Sequence, residues 1–228
     1  MINGKRVLAI IPARGGSKRL PRKNVLSLAG KPLIGWTIEA AQKSKYIDDV
    51  FLSTDDKEIA DIASQFGVTV PKLRPAELAS DTASSSDVII YTLKEFGQKA
   101  DIVVLLQPTS PLREVVHIDE ALELFIRKSA FSVVSVTPCE HSPLWANILP
   151  DDASLASFLR TVGEQRSQDL SQYYRFNGAL YIFDAKKLLE AGEICYDSNS
   201  FAYIMDNKFS IDIDQPFDLE LAEFLLRG

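Results

Sequence analysis

The chain is poor in the residues that most often announce a chemistry: it has two cysteines and two histidines in 228 residues, and no excess of positive charge. Cys139 and Cys195 stand in unrelated contexts without a CxxC or a metal-ligand spacing, so neither a disulfide framework nor a zinc cluster is indicated. Two free thiols fit a reducing cytoplasm. His117 and His141 are far apart, and neither has a serine or cysteine at a triad spacing, which argues against nucleophilic catalysis. A formal charge of −6 argues against nucleic acid as a partner. Long apolar runs are also missing. Val7 to Ile11 is too short for a signal peptide and is followed at once by Pro-Ala-Arg, and no stretch approaches the roughly 20 apolar residues of a membrane span. Neither GxxxxGK[ST] nor GxGxxG occurs, which weakens ATPase and NAD-dependent readings.

What is present is an alternation of short β-branched runs with amphipathic stretches, the pattern of βαβ units in a mostly parallel sheet. Arg6 to Ile11, Val50 to Ser53, Ile102 to Gln107 and Phe131 to Val136 read as central strands. Leu33 to Lys45, Asp56 to Phe66, Ser86 to Phe96 and His117 to Arg127 read as helices between them. Pattern fades over Pro138 to Tyr174, which reads as a surface excursion or as an insertion that folds against a partner subunit. It returns with strands at Gly178 to Asp184 and Phe209 to Ile213, and helices at Ala185 to Glu190 and Pro216 to Leu226. One α/β domain over 1–228 is expected, with ligands beyond the carboxyl ends of the strands.

The loop after the first strand, Pro12 to Asn24, carries Gly15-Gly16 and five cations, Arg14, Lys18, Arg19, Arg22 and Lys23, in ten residues. Glycines let backbone amides approach an anion and the cations supply charge, so a polyanion site is the reading preferred over a solvated basic turn. Gln107 ends a very apolar strand, and its amide could meet a hydroxylated ligand or simply cap the strand. Asp212 and Asp214 are two apart on an expected strand, which puts both carboxylates on one face. Such a pair suits Mg²⁺, although two surface aspartates on an edge strand would look the same.

PARGGSKRLPRKN (residues 12–24) resembles the N-terminal signature of the acylneuraminate cytidylyltransferases, the CMP-sialic acid synthetases. The resemblance continues in order through RPAELASDTAS (74–84), LLQPTSPLR (105–113), NGALY (177–181) and SIDID (210–214). It implies a three-layer, mostly parallel, Rossmann-like sheet, with residues 138–174 as a small dimerisation and sugar-site insertion. It implies that Arg14 and Lys23 hold the phosphates of CTP, assisted by Lys18, with Ala13 and Asn24 also at the nucleotide. Arg74, Ala83 and Ser85 would read cytosine. Gln107, also placed at CTP, would face the sugar together with Asn177 and Tyr181, with Arg166 reaching over from a neighbouring subunit of a homodimer. Asp212 and Asp214 would hold Mg²⁺, for which Mn²⁺ could substitute. The implied reaction activates N-acetylneuraminic acid or a related nine-carbon sugar acid with CTP, releasing pyrophosphate. An eight-carbon sugar acid as acceptor, or a regulator that only binds nucleotide, are the alternatives. Trp145 stands near where some sialic acid synthetases carry a lysine, and an indole there would accept an apolar deoxy or acetamido substituent.

Overall fold

The computed structural model describes residues 1–156, 158–159 and 170–227. Its elements in chain order are β1 (Val7–Pro12), the two-residue strands β2 (Ser27–Leu28) and β3 (Lys31–Pro32), α1 (Leu33–Lys43), β4 (Asp49–Ser53), α2 (Lys57–Gln65), α3 (Ser85–Glu95), β5 (Ile102–Leu106), α4 (Val115–Lys128), β6 (Ser132–Pro138), β7 (Tyr174–Asp184), α5 (Ala185–Ala191), β8 (Ser200–Ile204) and α6 (Pro216–Arg227).

Six strands form one sheet in the order β4-β1-β5-β7-β6-β8, with β7 antiparallel to both neighbours and the other pairs parallel. β1 and β5 are apolar at nearly every position because helices cover both their faces. Val7, Ala9, Ile11, Ile102, Val104 and Leu106 pack with α1, α2 and α4 on one side. Leu8, Ile10, Val103 and Leu105 pack with α3 and α5 on the other. The result is the expected three-layer α/β fold.

Caps fix where the helices begin. Asp56 accepts from the Ile59 amide at α2, and Ser84 and Asp87 form a reciprocal capping box at α3. These caps set the turns that follow β4 and precede β5, so they also shape the carboxyl edge of the sheet.

Three expectations are corrected. β7 begins at Tyr174, four residues earlier than expected, and pairs back onto β6 through Val136–Phe176, Thr137–Arg175 and Pro138–Tyr174. β6 and β7 therefore extend together as a two-stranded arm, and the described residues between Pro138 and Tyr174 belong to its tip. The register shifts between Val134 and Val136, where Gly178 adopts a left-handed φ of 75°, and that irregularity interrupts the period-two pattern. Ser200–Ile204 is an edge strand that the sequence pattern does not announce. Phe209 to Ile213 is not a strand: Asn207–Phe209 is a turn of 3₁₀ helix and Ser210 to Asp214 pairs with no sheet.

Candidate active site

The carboxyl edge of the sheet opens into a cleft of about 480 Å³ lined by Arg14, Lys18, Lys23, Asn24, Arg74, Ala83, Ser85, Gln107 and Asp214, among others. Four separate segments converge there: the loop after β1, the turn before α3, the end of β5 and the segment before α6.

The loop after β1 is shaped by carboxylates. The Gly15 amide donates to Asp55 Oδ1 at 3.0 Å, and a Cβ on Gly15 would fall 2.6 Å from Asp56 Oδ2. Glycine is thus required for close approach to an anion, but the anion is the protein's own. Arg22 takes a left-handed φ of 59° and pairs with Asp56 and Glu58, which turns Lys23 and Asn24 inward. Asn24 is buried and its amide donates to the Arg14 carbonyl at 2.9 Å, bracing the loop from within.

Every cation at the mouth has an acidic partner. Arg14 Nη1 lies 3.0 Å and Lys18 Nζ 2.5 Å from Asp81. Lys23 Nζ and Arg19 Nη1 each lie 2.8 Å from Asp214. Arg74 is buried, and its Nη2 sits 3.7 Å from Asp55 Oδ1, an ion-pair distance too long for a hydrogen bond. Burial pushes the Arg74 guanidinium down, and Asp55 pulls it back up. Lys18 and Arg14 hold Asp81 below the ordinary carboxylate range. Asp214 is also low: burial opposes its charge, and Lys23 and Arg19 outweigh that.

Asp212 behaves differently. Partial withdrawal of its carboxyl from water pushes it up, Thr109 lowers it by hydrogen bonding, and the charges of Asp214 and Asp218 raise it again. Although the segment is not a strand, Ile211 and Ile213 pack together in one apolar cluster, and Ile213 donates its amide to the Thr109 carbonyl at 2.7 Å. That anchoring leaves the two aspartates close enough to repel one another. Among the described residues there is no group of three or more His, Cys, Asp or Glu side chains that could cage a metal by itself. Two hard oxygen donors beside a mouth lined with cations fit Mg²⁺, which commonly takes one or two carboxylates and completes its shell with water and substrate phosphate. Asp218 accepts from the amides of Asp214 and Gln215, a helix-start role outside the donor pair.

Of the residues expected to face a sugar, Gln107 follows β5, and Asn177 and Tyr181 lie on β7. Asn177 is buried: its Oδ1 accepts from Ser135 Oγ at 2.6 Å and the Ala179 amide at 3.1 Å, and its Nδ2 donates to Ser210 Oγ at 2.9 Å. Its amide is spent inside the protein, and it fixes the start of the Ser210 to Asp214 segment. Tyr181 is half-buried in β7, and burial and the nearby charge of Asp212 raise its phenol. Gln107 Oε1 rests 3.4 Å from where a Cβ of Gly178 would stand. The Ala13 side chain belongs to the apolar core, so only its backbone is near the mouth. Arg166 lies outside the described residues. Trp145 is half-buried in a 3₁₀ turn, Pro143–Trp145, on the arm.

Sequence reasoning overlooked Asp81, Asp55 and Arg113 as site residues. Asp81 and Arg113 sit inside recognisable blocks, but Asp81's partner Arg14 and Arg113's partners Ala179 and Thr37 are more than 60 residues away along the chain.

The family model described as "Cytidylyltransferase" matches residues 8–221. The chain is 41% identical to the CMP-N,N'-diacetyllegionaminic acid synthase of Legionella pneumophila, over 97% of this chain and 96% of that one. It is 36% identical to the pseudaminic acid cytidylyltransferase of Campylobacter jejuni, over 96% of each. It is 38% identical to the N-acylneuraminate cytidylyltransferase of Escherichia coli O18:K1:H7, over 95% of this chain but only 51% of that longer protein. A solved structure of CMP:2-keto-3-deoxy-manno-octonic acid synthetase complexed with CTP superposes with a TM-score of 0.74 at 18% identity, covering 97% of this chain and 98% of that one, a likeness of fold. With a family match running from β1 into α6 and full-length relatives above a third identical, this chain belongs to the cytidylyltransferase family.

Proposed function

We propose that the protein transfers CMP from CTP to the anomeric hydroxyl of a nine-carbon, N-acylated 2-keto sugar acid, releasing pyrophosphate. The observation that carries this reading is the Lys23–Asp214 ion pair of 2.8 Å, which joins the cationic loop to the carboxylate segment across the mouth of one cleft.

The chemistry is in-line: the C2 oxygen of the acid forms a bond to the α-phosphorus as the bond to pyrophosphate breaks. Such transfer depends mainly on positioning and on neutralising charge. Arg14, Lys18 and Lys23 meet the triphosphate by exchanging their protein carboxylates for phosphate oxygens. Asn24 holds the loop for that exchange, and the backbone of Ala13 closes its base. Arg74, Ala83 and Ser85, beside the first turn of α3, face the cytosine. Gln107 meets the acceptor, Tyr181 walls it, and Asn177 acts through Ser210 on the aspartate segment. Asp212 and Asp214 would hold Mg²⁺, or Mn²⁺ in its place, which would neutralise phosphate charge and acidify the attacking hydroxyl. Asp212, which pairs with no cation among the described residues, is the group we assign to take the hydroxyl proton.

A homodimer belongs to the same proposal. Ile148, Leu149 and Leu155 on the arm's tip, and Tyr174 and Phe176 at its base, are exposed apolar side chains in one region. A second copy would cover them, and the resemblance assigns that copy's Arg166, which lies outside the described residues, to the acceptor. We place the enzyme in the cytoplasm, in keeping with its free Cys139 and Cys195. No helix among the described residues is long and apolar enough to cross a membrane.

Trp145 favours a diacetamido, deoxygenated acid over N-acetylneuraminate, because an indole offers contact to methyl groups where a lysine offers charge to hydroxyls. The test is pyrophosphate release with CTP against N-acetylneuraminic, legionaminic, pseudaminic and eight-carbon sugar acids. Mg²⁺-dependent release with a nine-carbon acid is expected. CTP binding without release from any acid, or release with the eight-carbon acid alone, would overturn the reading.

A further inference from the structure

Arg113 ends the segment after β5 and is 2% exposed, yet no carboxylate among the described residues pairs with it. Its Nη1 donates to the carbonyl of Ala179 at 2.7 Å and to that of Gln107 at 3.2 Å, and its Nη2 donates to Thr37 Oγ1 at 2.8 Å. Its Nε has no partner. Burying a guanidinium without a counter-ion is costly, and replacement by an apolar side chain of similar volume is often neutral or stabilising. Stability alone therefore does not account for a charge in this place. The other buried arginine, Arg74, keeps Asp55 beside it.

The three acceptors indicate what the charge is for. Gln107 directly follows the last residue of β5, Ala179 follows the left-handed Gly178, and Thr37 lies on α1. The Gln107 carbonyl also accepts from the Ser110 amide at 3.3 Å, so this one peptide is held from several sides. Arg113 thus clamps the seam where Gln107 Oε1 faces Gly178, and it is not among the residues that line the cleft holding Gln107.

We propose that Arg113 is the positioning residue of the acceptor side: it sets the Gln107–Gly178 pair against the sugar acid and supplies an unneutralised positive charge beneath an anionic substrate. The proposal rests on the functional reading above, in which Gln107 faces the acceptor. It goes beyond that reading by placing acceptor selection in a residue that touches neither substrate. Because the mouth cations lie on other segments and make no hydrogen bond or ion pair with Arg113, CTP should be nearly indifferent to Arg113.

The experiment uses the full chain and measures pyrophosphate release for wild type, Arg113→Met, Arg113→Lys and Thr37→Val, varying CTP and the acid separately. For Arg113→Met we expect kcat/KM for the acid to fall about 10- to 100-fold while KM for CTP stays within about twofold, since small misplacements act steeply on catalysis. Arg113→Lys, which keeps the charge and loses the fork, should recover part of the loss. Thr37→Val keeps the charge, removes one acceptor and should lower acid kcat/KM less, in the same direction. Wild-type acid kinetics in Arg113→Met, or equal losses for acid and CTP, would overturn the proposal. If Arg113→Met does not fold, unchanged acid kinetics in Thr37→Val overturns it instead. A wild type that releases no pyrophosphate with any acid refutes the functional reading, an outcome distinct from all of these.

Discussion

The two sides of the cleft that we propose for the nucleotide and for the acceptor are built in opposite ways. On the nucleotide side, four long cations on one loop share two carboxylates, Asp81 and Asp214, from distant segments, and several of these partners are substantially exposed. Exposed pairs of this kind contribute about 0.2–1 kcal/mol each, so a polyanion can replace the carboxylates at small cost. On the acceptor side, Asn177, Ser135, Ser210 and Arg113 form a buried network on strands β6 and β7 and on the segments flanking the site. Those bonds cannot be exchanged without leaving polar groups unsatisfied in the core. One side is made to let go, and the other to stay still.

The carboxylates that join the two sides offer the largest test. Asp212→Asn and Asp214→Asn are each expected to lower Mg²⁺-dependent pyrophosphate release by about 100-fold or more, because they would remove charge stabilisation at the reacting phosphate. Both variants should remain folded. Asp212 has a folded pKa raised above its unfolded value, so its ionised form opposes folding once pH exceeds the unfolded pKa. The Asp212→Asn variant should accordingly show a thermal midpoint unchanged or higher at neutral pH, measured by calorimetry. Near-wild-type turnover in either variant would remove the metal from the mechanism.

Asn177→Ala strikes the rigid side. Ser135 and Ser210 would each lose a buried partner, and about 1–3 kcal/mol of stability should go with it, read from urea unfolding. If the two sides differ in this way, acid KM should rise with little change in CTP KM. An equal shift in both would mean that the network serves the whole cleft, and a stability within error of wild type would mean that it is not a network at all.

Legibility in the sequence follows the same division. β1, β5 and β6 are readable because a strand covered on both faces is a continuous apolar run, the edge strand β4 keeps a short one in residues 50–52, and covering helices repeat at 3.6. β8 escapes notice because an edge strand alternates only weakly: Phe201 and Tyr203 are half-buried while Ile204 is exposed. Ile211 and Ile213 do alternate with Asp212, and that pattern reads as a strand, but nothing in a pattern tells whether a ladder partner exists. The loop cations are visible as a charge cluster beside two glycines. Their counter-charges are not, because the Arg19–Asp214 pair spans 195 positions of chain. Arg113 is least visible of all, since an arginine after two prolines looks like a solvated turn.

Arg14 separates a site that binds phosphate from a turn that merely carries charge. Arg14→Ala should weaken CTP about tenfold by calorimetric titration, the loss of one charge-assisted hydrogen bond, whereas an unchanged affinity would reduce the loop to a solvated turn.

The smallest effect runs the other way and bears most directly on how the nucleotide side works. Asp81 pairs with both Arg14 and Lys18, so in the proposed reading CTP would displace it before either cation reached a phosphate. Asp81→Asn keeps the shape and removes the competitor, and should tighten CTP binding by about two- to fivefold, the size of one exposed ion pair. The gain should shrink as salt is raised, since the competition is between screened charges. In Arg14→Ala, Asp81→Asn should help less, because one of the two cations it frees is gone. If Asp81→Asn weakens CTP in both backgrounds, Asp81 is a part of the nucleotide site that orders the cations for binding, and the exchange of carboxylate for phosphate is not how this mouth opens.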